Sequence, residues 1–572
     1  MSDTGRWDTV ARRRAAAPVD TAEAPQYCPA VKAFRTVLGE FGAVARNPNL
    51  RRLELAYGAA ITSEWAFLVA LGVFAYQRGG ATAVGVLGLV RMLPAALATP
   101  FTAAFADRYE RERALVAVTF LSAVALAAST GLFYLGRNEA AIFAFAAAHA
   151  VVSTLCRPAV AALVPSLATT PQQLVAANGV SLTLEGLGTL AGPLIAGVVI
   201  ETSGVGVVFA FGAVAYVASA LVLAAIHVEG RLRFAHHRAA GDLTAGFRLL
   251  AREPHPRLIV ALFVAQTIVR GALNVLTVVI AFRLLHAGAG WVGFLSGAVG
   301  AGTLVGGFAS MALVGRKLAI PFAIGLLLWG IPIALVAAVP HRVTALLLLA
   351  VVGVGNAVED VTGETILQRL ISDDLLGRVL GVMFGAATAG MGIGAIAAPA
   401  LIGGLGVRGA LIATGAFLPA LVLLSWGGLR RIDAAAAPPS AELALLDGVP
   451  MFTPLPLAAK EQIARSLVRV SHPAGREIIS EGETGDRFYI VASGHAQVTR
   501  NGEHLRACGP GDYFGEIALL RDIPRTATVT ASDEMELYAL ERAAFIDAAT
   551  RHAAGREAGE EIVREQLARV TL

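Results

Sequence analysis

Three features near the C-terminus have the residue types and spacing needed to hold an anion. Gly515 stands directly before Glu516-Ile517-Ala518, a stretch that predicts a short helix, and Arg525 follows shortly afterwards. A helix that begins at a glycine directs backbone N–H groups at a ligand, which can approach without meeting a side chain. Arginine adds a fixed positive charge with paired N–H donors that fit a phosphate. The segment is therefore a candidate phosphate-binding site.

A second group of candidates consists of ionisable residues inside long apolar segments, where an unpartnered charge is costly in a membrane. The group contains Glu64, Arg91, Glu185, Arg270, Asp360 and Glu364. Glu64 and Glu185 could bind and release protons, while Arg91 and Arg270 could be counter-ions or hold anionic groups of a substrate. A structural ion pair is an equally good interpretation of each residue.

Two further polar residues of these segments are weaker candidates. Arg157, like Glu364, lies close to a predicted segment end, from which a long side chain can reach water. His149 is expected to be a hydrogen-bonded interior residue more often than a proton relay.

The composition of the 572-residue chain is that of a membrane protein, with 56% hydrophobic residues, 15% charged residues and a mean hydropathy of +0.65. A soluble globular protein has about a quarter of its residues charged. The net charge of +4 is small, and the basic residues are spread between apolar segments, which argues against a nucleic-acid partner. The cysteines Cys28, Cys156 and Cys508 are too scattered for a disulfide framework or a metal site, and no enzyme motif is found.

About twelve apolar segments are long enough for a membrane-spanning helix, which needs about 20 residues. They begin near Leu53, Ala83, Ala114, Ala140, Leu174, Val205, Leu258, Val292, Ile320, Val343, Leu376 and Ala410. Residues 1–50 lack a signal peptide and predict a cytoplasmic tail. One face of the tail is apolar and consists of Val31, Phe34, Val37, Leu38 and Phe41. This face indicates either a helix that lies on the membrane surface or a plain extension of the first span, and the two interpretations are equally good.

Lysines and arginines are concentrated in the loops that follow even-numbered segments. The positive-inside rule therefore predicts a multi-pass protein of the cell membrane with both termini in the cytoplasm. The hydrophilic stretch Glu229 to Arg257 divides the segments into six and six. Residues 51–431 are thus expected to form an all-α membrane domain of two six-helix halves, with the lipid bilayer as its surroundings.

Segments five and eleven carry the same pattern of glycines and a proline. Gly179, Gly188, Pro193 and Gly197 recur at a constant offset as Gly385, Gly394, Pro399 and Gly403. A constant offset predicts an internal repeat, and small residues allow helices to pack closely. The proline and glycines also favour bending at the interface between the halves.

Segment five resembles the motif that major facilitator antiporters carry in their fifth span. The matching residues are Gly179, Gly188, Gly192, Pro193 and Gly197, with Ala196 in place of one glycine. Stretches 155–158, 174–178 and 374–379 resemble the branch of this family that contains siderophore and macrolide exporters. The resemblance implies a secondary transporter that works by alternating access.

A second stretch is similar to the loop that this family has between spans two and three. It comprises residues 106–111 and includes Asp107 and Arg108, although Ala103 and Glu110 stand where the family usually has glycines. The resemblance implies a gating role for Asp107 and Arg108, together with the span-five motif.

The sequence after the last apolar segment has the composition of a soluble domain. Residues 432–445 predict a linker, and residues 446–572 predict a small jelly-roll-like β-roll with flanking helices. A helix is expected at about Leu457 to Leu467, and the Asn501-Gly502 pair predicts a hairpin between strands Ala496 to Arg500 and Glu503 to Ala507. Helical sequence follows from Glu541.

Two motifs of this domain, Glu481 to Asp486 and Phe514 to Ala527, closely resemble the cyclic-nucleotide-binding family. The resemblance implies a ligand site formed by Phe514, Gly515, Glu516, Ile517, Ala518, Arg525, Thr526 and Ala527. It implies that Arg525 binds the cyclic phosphate and that Glu516 accepts a hydrogen bond from the ribose 2′-hydroxyl. Thr526 is compatible with cGMP and with cAMP, with a slight preference for cAMP.

The last helix carries Val563, Leu567 and Val570 on one face, which could close over the base or pack on the β-roll. These two alternatives stay open at the level of sequence.

The sequence predicts a proton-coupled exporter of a small molecule, regulated by cAMP or cGMP at its cytoplasmic C-terminal domain. The nucleotide is then a regulatory ligand, and no cofactor, metal or nucleic acid is expected. A membrane-anchored nucleotide receptor without transport activity is the alternative. A transporter whose cargo is the nucleotide itself is less favoured, because a tight pocket releases its ligand poorly.

Overall fold

The computed structural model describes residues 42, 44–108, 111–136, 138–168, 170–226, 244–310, 313, 317–371, 373–435, 440–453, 455 and 457–551. The chain divides into two compact units, the first formed by Met1–Val314 with Leu318–Ala436 and the second by Gly315–Lys317 with Ala437–Leu572. The predicted surface helix at 31–41 and the helix face of Val563, Leu567 and Val570 lie outside the described residues.

The first unit is entirely helical in its described part. Its helices are α1 (Pro48–Arg108), α2 (Arg111–Tyr134), α3 (Glu139–Ser153), α4 (Cys156–Leu167), α5 (Pro171–Ser203), α6 (Val205–Ala224), α7 (Thr244–Arg252), α8 (Pro254–Val279, continued by a π-helical turn at Ile280–Leu284), α9 (Gly290–Ser310), α10 (Ala319–Ala338), α11 (Arg342–Leu370) and α12 (Asp373–Ala435). Large apolar side chains remain exposed on the outside of this unit, as at Leu221, Leu423 and Leu424, which suits a surface covered by lipid.

Ten helices of the described part are long and apolar enough to cross a membrane. Two of them are far longer than the roughly 20 residues that one crossing needs, since α1 has 61 residues and α12 has 63. Each is broken at a glycine with positive φ, Gly80 in α1 and Gly406 in α12, which only glycine adopts without strain. Each therefore consists of two arms. With these two helices counted as two arms each, the ten helices fit the predicted number of about twelve spans. The exact number of spans stays a prediction.

The helices form two groups, α1 to α6 and α8 to α12. In the first group α1 packs on α5 and α6, and in the second α12 packs on α8 and α10. The two groups meet chiefly through α1 with α12 and through α5 with α9. This division agrees with the two halves that the glycine repeat predicts.

Two segments that were expected to be irregular are partly helical. The hydrophilic stretch Glu229 to Arg257 contains α7 and the start of α8 at Pro254, because a proline is well tolerated in the first turn of a helix. The predicted linker 432–445 is also shorter than expected. Helix α12 continues to Ala435, and the next helix begins at Ser440.

The second unit is a small β-roll with flanking helices, as the sequence predicts. Its elements are α13 (Ser440–Asp447), α14 (Leu457–Ser466), β1 (Val468–His472), β2 (Glu477–Ile479), β3 (Arg487–Ser493), β4 (Ala496–Arg500), β5 (Glu503–Cys508), β6 (Tyr513–Phe514), α15 (Glu516–Arg521), β7 (Thr528–Ala531), β8 (Met535–Glu541) and α16 (Arg542–Arg551). The strands form two antiparallel sheets, in the orders β1-β8-β3-β6 and β2-β7-β4-β5. The predicted hairpin is confirmed, with Asn501 and Gly502 both at positive φ between β4 and β5.

Strand β3 organises two apolar cores because successive side chains of a strand point to opposite faces. Phe488 and Ile490 pack with the helices, where the Phe488 ring stacks on Phe545 at a centroid distance of 4.8 Å. Tyr489 and Val491 point into the space between the two sheets. Strand β8 does the same, with Leu540 in the core next to the helices and Leu537 in the core between the sheets, so two strands join the helices to the sheets.

Candidate functional site

The two sequence motifs of the second unit lie side by side in the structure. The backbone N–H of Arg525 donates to the carbonyl oxygen of Glu483 at 2.7 Å, and the N–H of Gly482 donates to the carbonyl oxygen of Arg525 at 2.9 Å. An isolated bridge also joins Thr484 to Pro524. The glycine turn of the first motif therefore fixes the backbone that carries the arginine of the second.

Gly515 occupies a position that tolerates only glycine. Its φ is +94°, and a methyl group there would lie 2.7 Å from Nη1 of Arg525 and 3.1 Å from the carbonyl oxygen of Arg487. Helix α15 starts at the next residue, Glu516. The glycine thus lets the strand turn sharply into a short helix while the arginine lies directly against the turn.

Arg525 is 5% exposed and is held by backbone carbonyls. Its Nη1 donates to the carbonyl oxygen of Gly515 at 2.9 Å, and its Nη2 donates to that of Arg487 at 2.7 Å and lies 3.4 Å from Asp486 Oδ1. Burial lowers the pKa of the Arg525 guanidinium, while Tyr489, Asp486 and Glu516 act in the opposite direction. Because a guanidinium is a very weak acid, Arg525 keeps its charge at neutral pH.

These residues border a cavity of about 260 Å³. Its lining contains every predicted ligand-binding residue: Phe514, Gly515, Glu516, Ile517, Ala518, Arg525, Thr526 and Ala527. Glu516, which is 2% exposed, brings a second charge of opposite sign next to Arg525. The cavity thus offers a buried cation and a buried carboxylate to one small ligand.

Sequence reasoning missed the remainder of the lining, which is Ile479, Val498, Leu505, Arg506 and Val529. Four strands of one sheet, β2, β4, β5 and β7, supply these side chains. The β4–β5 hairpin was predicted, but the pairing of β7 with β4 and of β2 with β7 was not. Alternation along β5 could also not indicate both Leu505 and Arg506, which are consecutive residues. One member, Arg506, is charged, and its Nη2 donates to the carbonyl oxygen of Tyr513 at 3.0 Å.

The ionisable residues of the first helix group lie close together. Glu185 in α5 pairs with Arg157 at 3.5 Å, and its Oε2 lies 3.5 Å from the hydroxyl of Tyr57. Glu64 lies within electrostatic reach of Arg91 and of Glu185. The predicted candidates of this half therefore form one connected cluster.

The second helix group contributes a matching cluster. Asn356 donates to Asp360 at 3.0 Å, and Arg270 lies within electrostatic reach of the same carboxylate. Arg157 from the first group also reaches Asp360 and Glu364 electrostatically. All six predicted candidates thus belong to a single charge network that crosses the interface between the halves.

Two buried carboxylates were not among the predicted residues. Glu359, next to Asp360, is 0% exposed, and neither carboxylate oxygen has a hydrogen-bond partner among the described residues. Glu54 is buried near the start of α1, where its carboxylate accepts a hydrogen bond from Ser181 at 2.7 Å. No sequence pattern singled out Glu54 or distinguished Glu359 from its neighbour Asp360.

His149 is an interior residue, as predicted, but the expected hydrogen bond is not found. Its ring meets Phe67 and Tyr216 edge to face, at centroid distances of 5.9 and 5.4 Å. Neither ring nitrogen has a hydrogen-bond partner within the described part of the chain. Aromatic contacts thus fill the space around this side chain.

The repeated glycines pack in equivalent places. Gly188 of α5 lies against Ile61 in the first arm of α1, and Gly394 of α12 lies against Ile268 in α8. The prolines that follow them both reach the other half, since Pro193 lies against Gly293 of α9 and Pro399 against Gly85 in the second arm of α1. The pairs Gly188 with Gly394 and Pro193 with Pro399 therefore occupy equivalent contacts, whereas Gly197 packs on Gly290 and a methyl group on its counterpart Gly403 would have no neighbour within 4 Å.

Several tight contacts between the halves lie at one end of the helix bundle. A methyl group on Gly197 would lie 2.8 Å from the carbonyl oxygen of Gly290, and the Gly290 N–H donates to Glu201 at 3.2 Å. Tyr76 stacks on Phe282 at the same end, at 4.7 Å. The close contacts continue to the middle of the helices, where Gly300 of α9 lies against Thr189 of α5. We call the tightly packed end, where α5 ends and α9 begins, the sealed end.

The predicted gating residues Asp107 and Arg108 fall in the last turn of α1, but their side chains lie outside the described residues, as does Glu110. Their role stays a prediction.

Comparison with known proteins identifies the two parts of the chain. Residues 53–323 match the Major Facilitator Superfamily, and residues 469–552 match the cyclic nucleotide-binding domain. The cAMP-dependent protein kinase regulatory subunit of Yarrowia lipolytica is 41% identical over 102 residues, which are 18% of this chain and 27% of that protein. The corresponding subunit of Aspergillus niger is 39% identical over 104 residues, 18% of this chain and 25% of its own length.

Among solved structures, the catabolite activator protein of Thermus thermophilus is 28% identical, with a TM-score of 0.20, over 21% of this chain and 60% of that chain. The chain spans only about a quarter of the length of the curated relatives that it matches. These matches therefore concern the second unit alone, whereas the superfamily match concerns the first. The chain joins a Major Facilitator Superfamily transporter domain to a C-terminal cyclic nucleotide-binding domain.

Proposed function

We propose that the protein is a proton-coupled exporter of a small molecule whose alternating access is regulated by cAMP or cGMP bound to its C-terminal domain. The observation that carries this proposal is the cavity around Arg525, which unites all eight predicted ligand residues in a chain that also contains a transporter domain.

Each part of the ligand has a counterpart in the cavity. The cyclic phosphate carries one negative charge, which Arg525 neutralises while the first backbone N–H groups of α15 donate to its oxygens. The carboxylate of Glu516 accepts a hydrogen bond from the ribose 2′-hydroxyl, so a ribonucleotide is favoured over a deoxyribonucleotide. The names of the relatives favour cAMP, while the hydroxyl of Thr526 is compatible with either purine nucleotide.

Proton coupling is supported by the charge network between the halves. Glu64, Glu185, Glu359, Asp360 and Glu364 are five carboxylates, and Arg91, Arg157 and Arg270 are the three arginines that they reach. When carboxylates within a membrane outnumber the cations near them, protonation of the excess carboxylates stabilises the group. Proton binding and release at this network would then accompany the movement of the two halves.

Alternating access is supported by the close packing of the two halves at the sealed end, where glycines of α5 and α9 meet. With the predicted topology, the sealed end faces the outside, and an exporter loads its cargo from the opposite, cytoplasmic end. Rocking of the halves would open the sealed end and close the other.

Regulation requires only that the nucleotide binds two transporter conformations with different affinity. A coupling free energy of about 1–3 kcal/mol changes the ratio of two conformations about 5- to 150-fold. The domain is proposed to lie in the cytoplasm, beneath the cell membrane, where cyclic nucleotides are made.

Transport into inverted membrane vesicles tests this proposal directly. A growth-resistance screen over candidate cargoes first identifies a compound whose toxicity the protein relieves. Uptake of that compound into inverted vesicles should change on addition of cAMP or cGMP, should disappear with a protonophore, and should lose its nucleotide response in the variant Arg525→Ala.

Each outcome decides one part of the proposal. Uptake that survives the protonophore would contradict proton coupling. Nucleotide binding without any effect on uptake would contradict regulation. Nucleotide binding in a chain that relieves no toxicity and moves no cargo would favour the membrane-anchored receptor.

A further inference from the structure

We propose that a groove between helices α8 and α12 binds one anionic phospholipid, with an acyl chain in the groove and the head group against arginines at its cytoplasmic end. This ligand site shares no lining residue with the nucleotide cavity and lies outside the charge network of the transporter domain.

The groove is a cavity of about 460 Å³ at the surface of the membrane unit. Its lining consists of Leu258, Ala261 and Leu262 of α8 and Leu421, Leu424, Ser425 and Gly428 of α12. Leu424 is 84% exposed, so the groove opens toward the surroundings of the helix bundle. The hydroxyl of Ser425 donates to the carbonyl oxygen of Leu421 at 2.6 Å, which leaves the lining apolar in character. An aliphatic chain suits this space better than a polar ligand does.

The two helices come very close at one end of the groove. A methyl group on Gly428 would lie 2.6 Å from Cδ2 of Leu258. Helix α8 begins at Pro254, about one turn before Leu258, and α12 ends at Ala435. This end of the groove therefore lies near the ends of both helices, which the predicted topology places at the cytoplasmic surface of the membrane.

Two exposed arginines continue the walls of the groove beyond this end. Arg257 precedes Ala261 by one turn of α8, and Arg431 follows Gly428 by one turn of α12. Residues one turn apart lie on the same face of a helix, so the arginines extend the same two faces that line the groove. Nη1 of Arg257 donates to the carbonyl oxygen of Ala251 at 3.2 Å, which leaves other donors of the guanidinium for a ligand. The groove thus combines an apolar length with two cations at the level of the lipid head groups.

The combination of an apolar length with two cations selects the class of lipid. An anionic phospholipid carries an acyl chain and a negative head group, and guanidinium groups bind its phosphate through paired N–H donors. Basic sites between spans on the cytoplasmic side recognise anionic head groups in this way. A zwitterionic lipid adds a cation beside its phosphate, which the arginines repel. A soluble anion would leave the apolar length of the groove unused.

The competing interpretation is that these arginines only follow the positive-inside rule and attract anionic lipids without a fixed site. Under that interpretation, any two exposed arginines of this membrane surface contribute equally. The chain offers a matched pair near the start of α1, where Arg46 and Arg51 are exposed. Nη1 of Arg51 donates to the carbonyl oxygen of Ala45 at 3.3 Å, much as Arg257 donates to that of Ala251.

The experiment is native mass spectrometry of the full-length protein in detergent, titrated with phosphatidylglycerol or with phosphatidylcholine of identical acyl chains. The wild type should bind its first phosphatidylglycerol about tenfold more tightly than its first phosphatidylcholine, a preference that two arginines near an anionic head group can provide. Arg257→Gln/Arg431→Gln should lower this ratio to about one. Arg46→Gln/Arg51→Gln removes the same charge outside the groove and should keep the wild-type ratio.

The variant Ala261→Phe tests the apolar part of the site, because it fills the groove from an exposed position and leaves both arginines in place. Its first phosphatidylglycerol should bind as weakly as phosphatidylcholine binds to the wild type. Unchanged binding to this variant would overturn the groove as the site of the acyl chain. A wild-type ratio near one, equal losses in the two double variants, or displacement of the lipid by inorganic phosphate would overturn the proposal as a whole.

Discussion

At the scale of single residues, the site depends on one buried arginine and the glycine beside it. Arg525 reaches two carbonyl oxygens on different segments, and Gly515 makes room for it. These contacts hold the guanidinium in place before any ligand arrives, which lowers the entropy lost on binding. Both residues could be predicted from the sequence, because the motif from Phe514 to Ala527 includes Gly515 and Arg525.

We expect Arg525→Lys to bind cAMP at least about 100-fold more weakly than the wild type, even though the charge is retained. A lysine ammonium on a flexible stem cannot make the two fixed contacts and also present paired donors to a phosphate. Calorimetric titration of the full-length protein measures the effect. The matched control is Arg521→Ala, an exposed arginine at the end of α15, which should bind as the wild type does.

A second prediction at this scale concerns the charge network of the membrane unit. Arg270→Ala should lower the thermal stability of the detergent-solubilised protein, because it leaves the carboxylates of Asp360 and Glu359 without a cation that they now reach. Removing a cation that two buried carboxylates reach leaves their charges less compensated, which destabilises the folded state.

The double variant Arg270→Ala/Asp360→Asn should recover part of that loss, because the uncompensated charge is removed with its partner. Melting temperatures of the two variants, with Asp360→Asn alone as the reference, test this coupling. Strictly additive effects would show that the two residues do not interact.

At the scale of elements, glycines decide where the two halves can touch. The repeat in segments five and eleven was visible in the sequence, and the structure places two of its pairs, Gly188 with Gly394 and Pro193 with Pro399, in equivalent contacts. The breaks at Gly80 and Gly406 were not recognisable, because a glycine among many glycines carries no signal of its own conformation. Helix α7 was missed for a different reason, since its short amphipathic sequence lies in a strongly hydrophilic stretch.

We expect Gly293→Leu to open the sealed end, because a side chain there would meet Pro193 and Gly197 of α5. The effect can be measured as a longer distance between spin labels at Leu135 and Val339, two exposed positions at the ends of α2 and α10. Gly307→Leu, on the same helix with no atom within 4 Å, is the matched control and should leave the distance unchanged.

Since Gly293→Leu could also impair folding, Gly85→Leu offers an independent test at the equivalent contact with Pro399. Two folded variants that leave the label distance at its wild-type value would contradict the role of these glycines in sealing.

A further prediction concerns strand β3, which joins the two cores of the β-roll. Phe488→Ala should destabilise the C-terminal domain by about 3–5 kcal/mol, the usual effect of removing a fully buried phenylalanine. Urea-dependent proteolysis of the domain within the full-length protein measures this change. Phe247→Ala, an exposed phenylalanine of α7, is the control and should leave the resistance of the domain unaltered.

At the scale of the whole molecule, both domains could be predicted from the sequence. The membrane domain is recognisable from the length of its apolar segments, and the C-terminal domain is recognisable from local motifs. The β-roll hairpin and the eight ligand residues were predictable from consecutive residues. Arg506, Glu359 and the apolar wall of the cavity were not, because they come together only through strand pairing and helix packing. Residues that come together only through long-range packing therefore belong to the least predictable part of the chain.

The central claim is that nucleotide binding to the C-terminal domain changes the conformation of the transporter domain. Two spin-label pairs test it in full-length protein without native cysteines, one at Leu135 and Val339 at the sealed end and one at Arg113 and Ile320 at the opposite ends of the same helices. Saturating cAMP or cGMP should shift the two distance distributions in opposite directions, and Arg525→Ala should abolish both shifts. Unchanged distributions in protein that calorimetry shows to be saturated with nucleotide would contradict the claim.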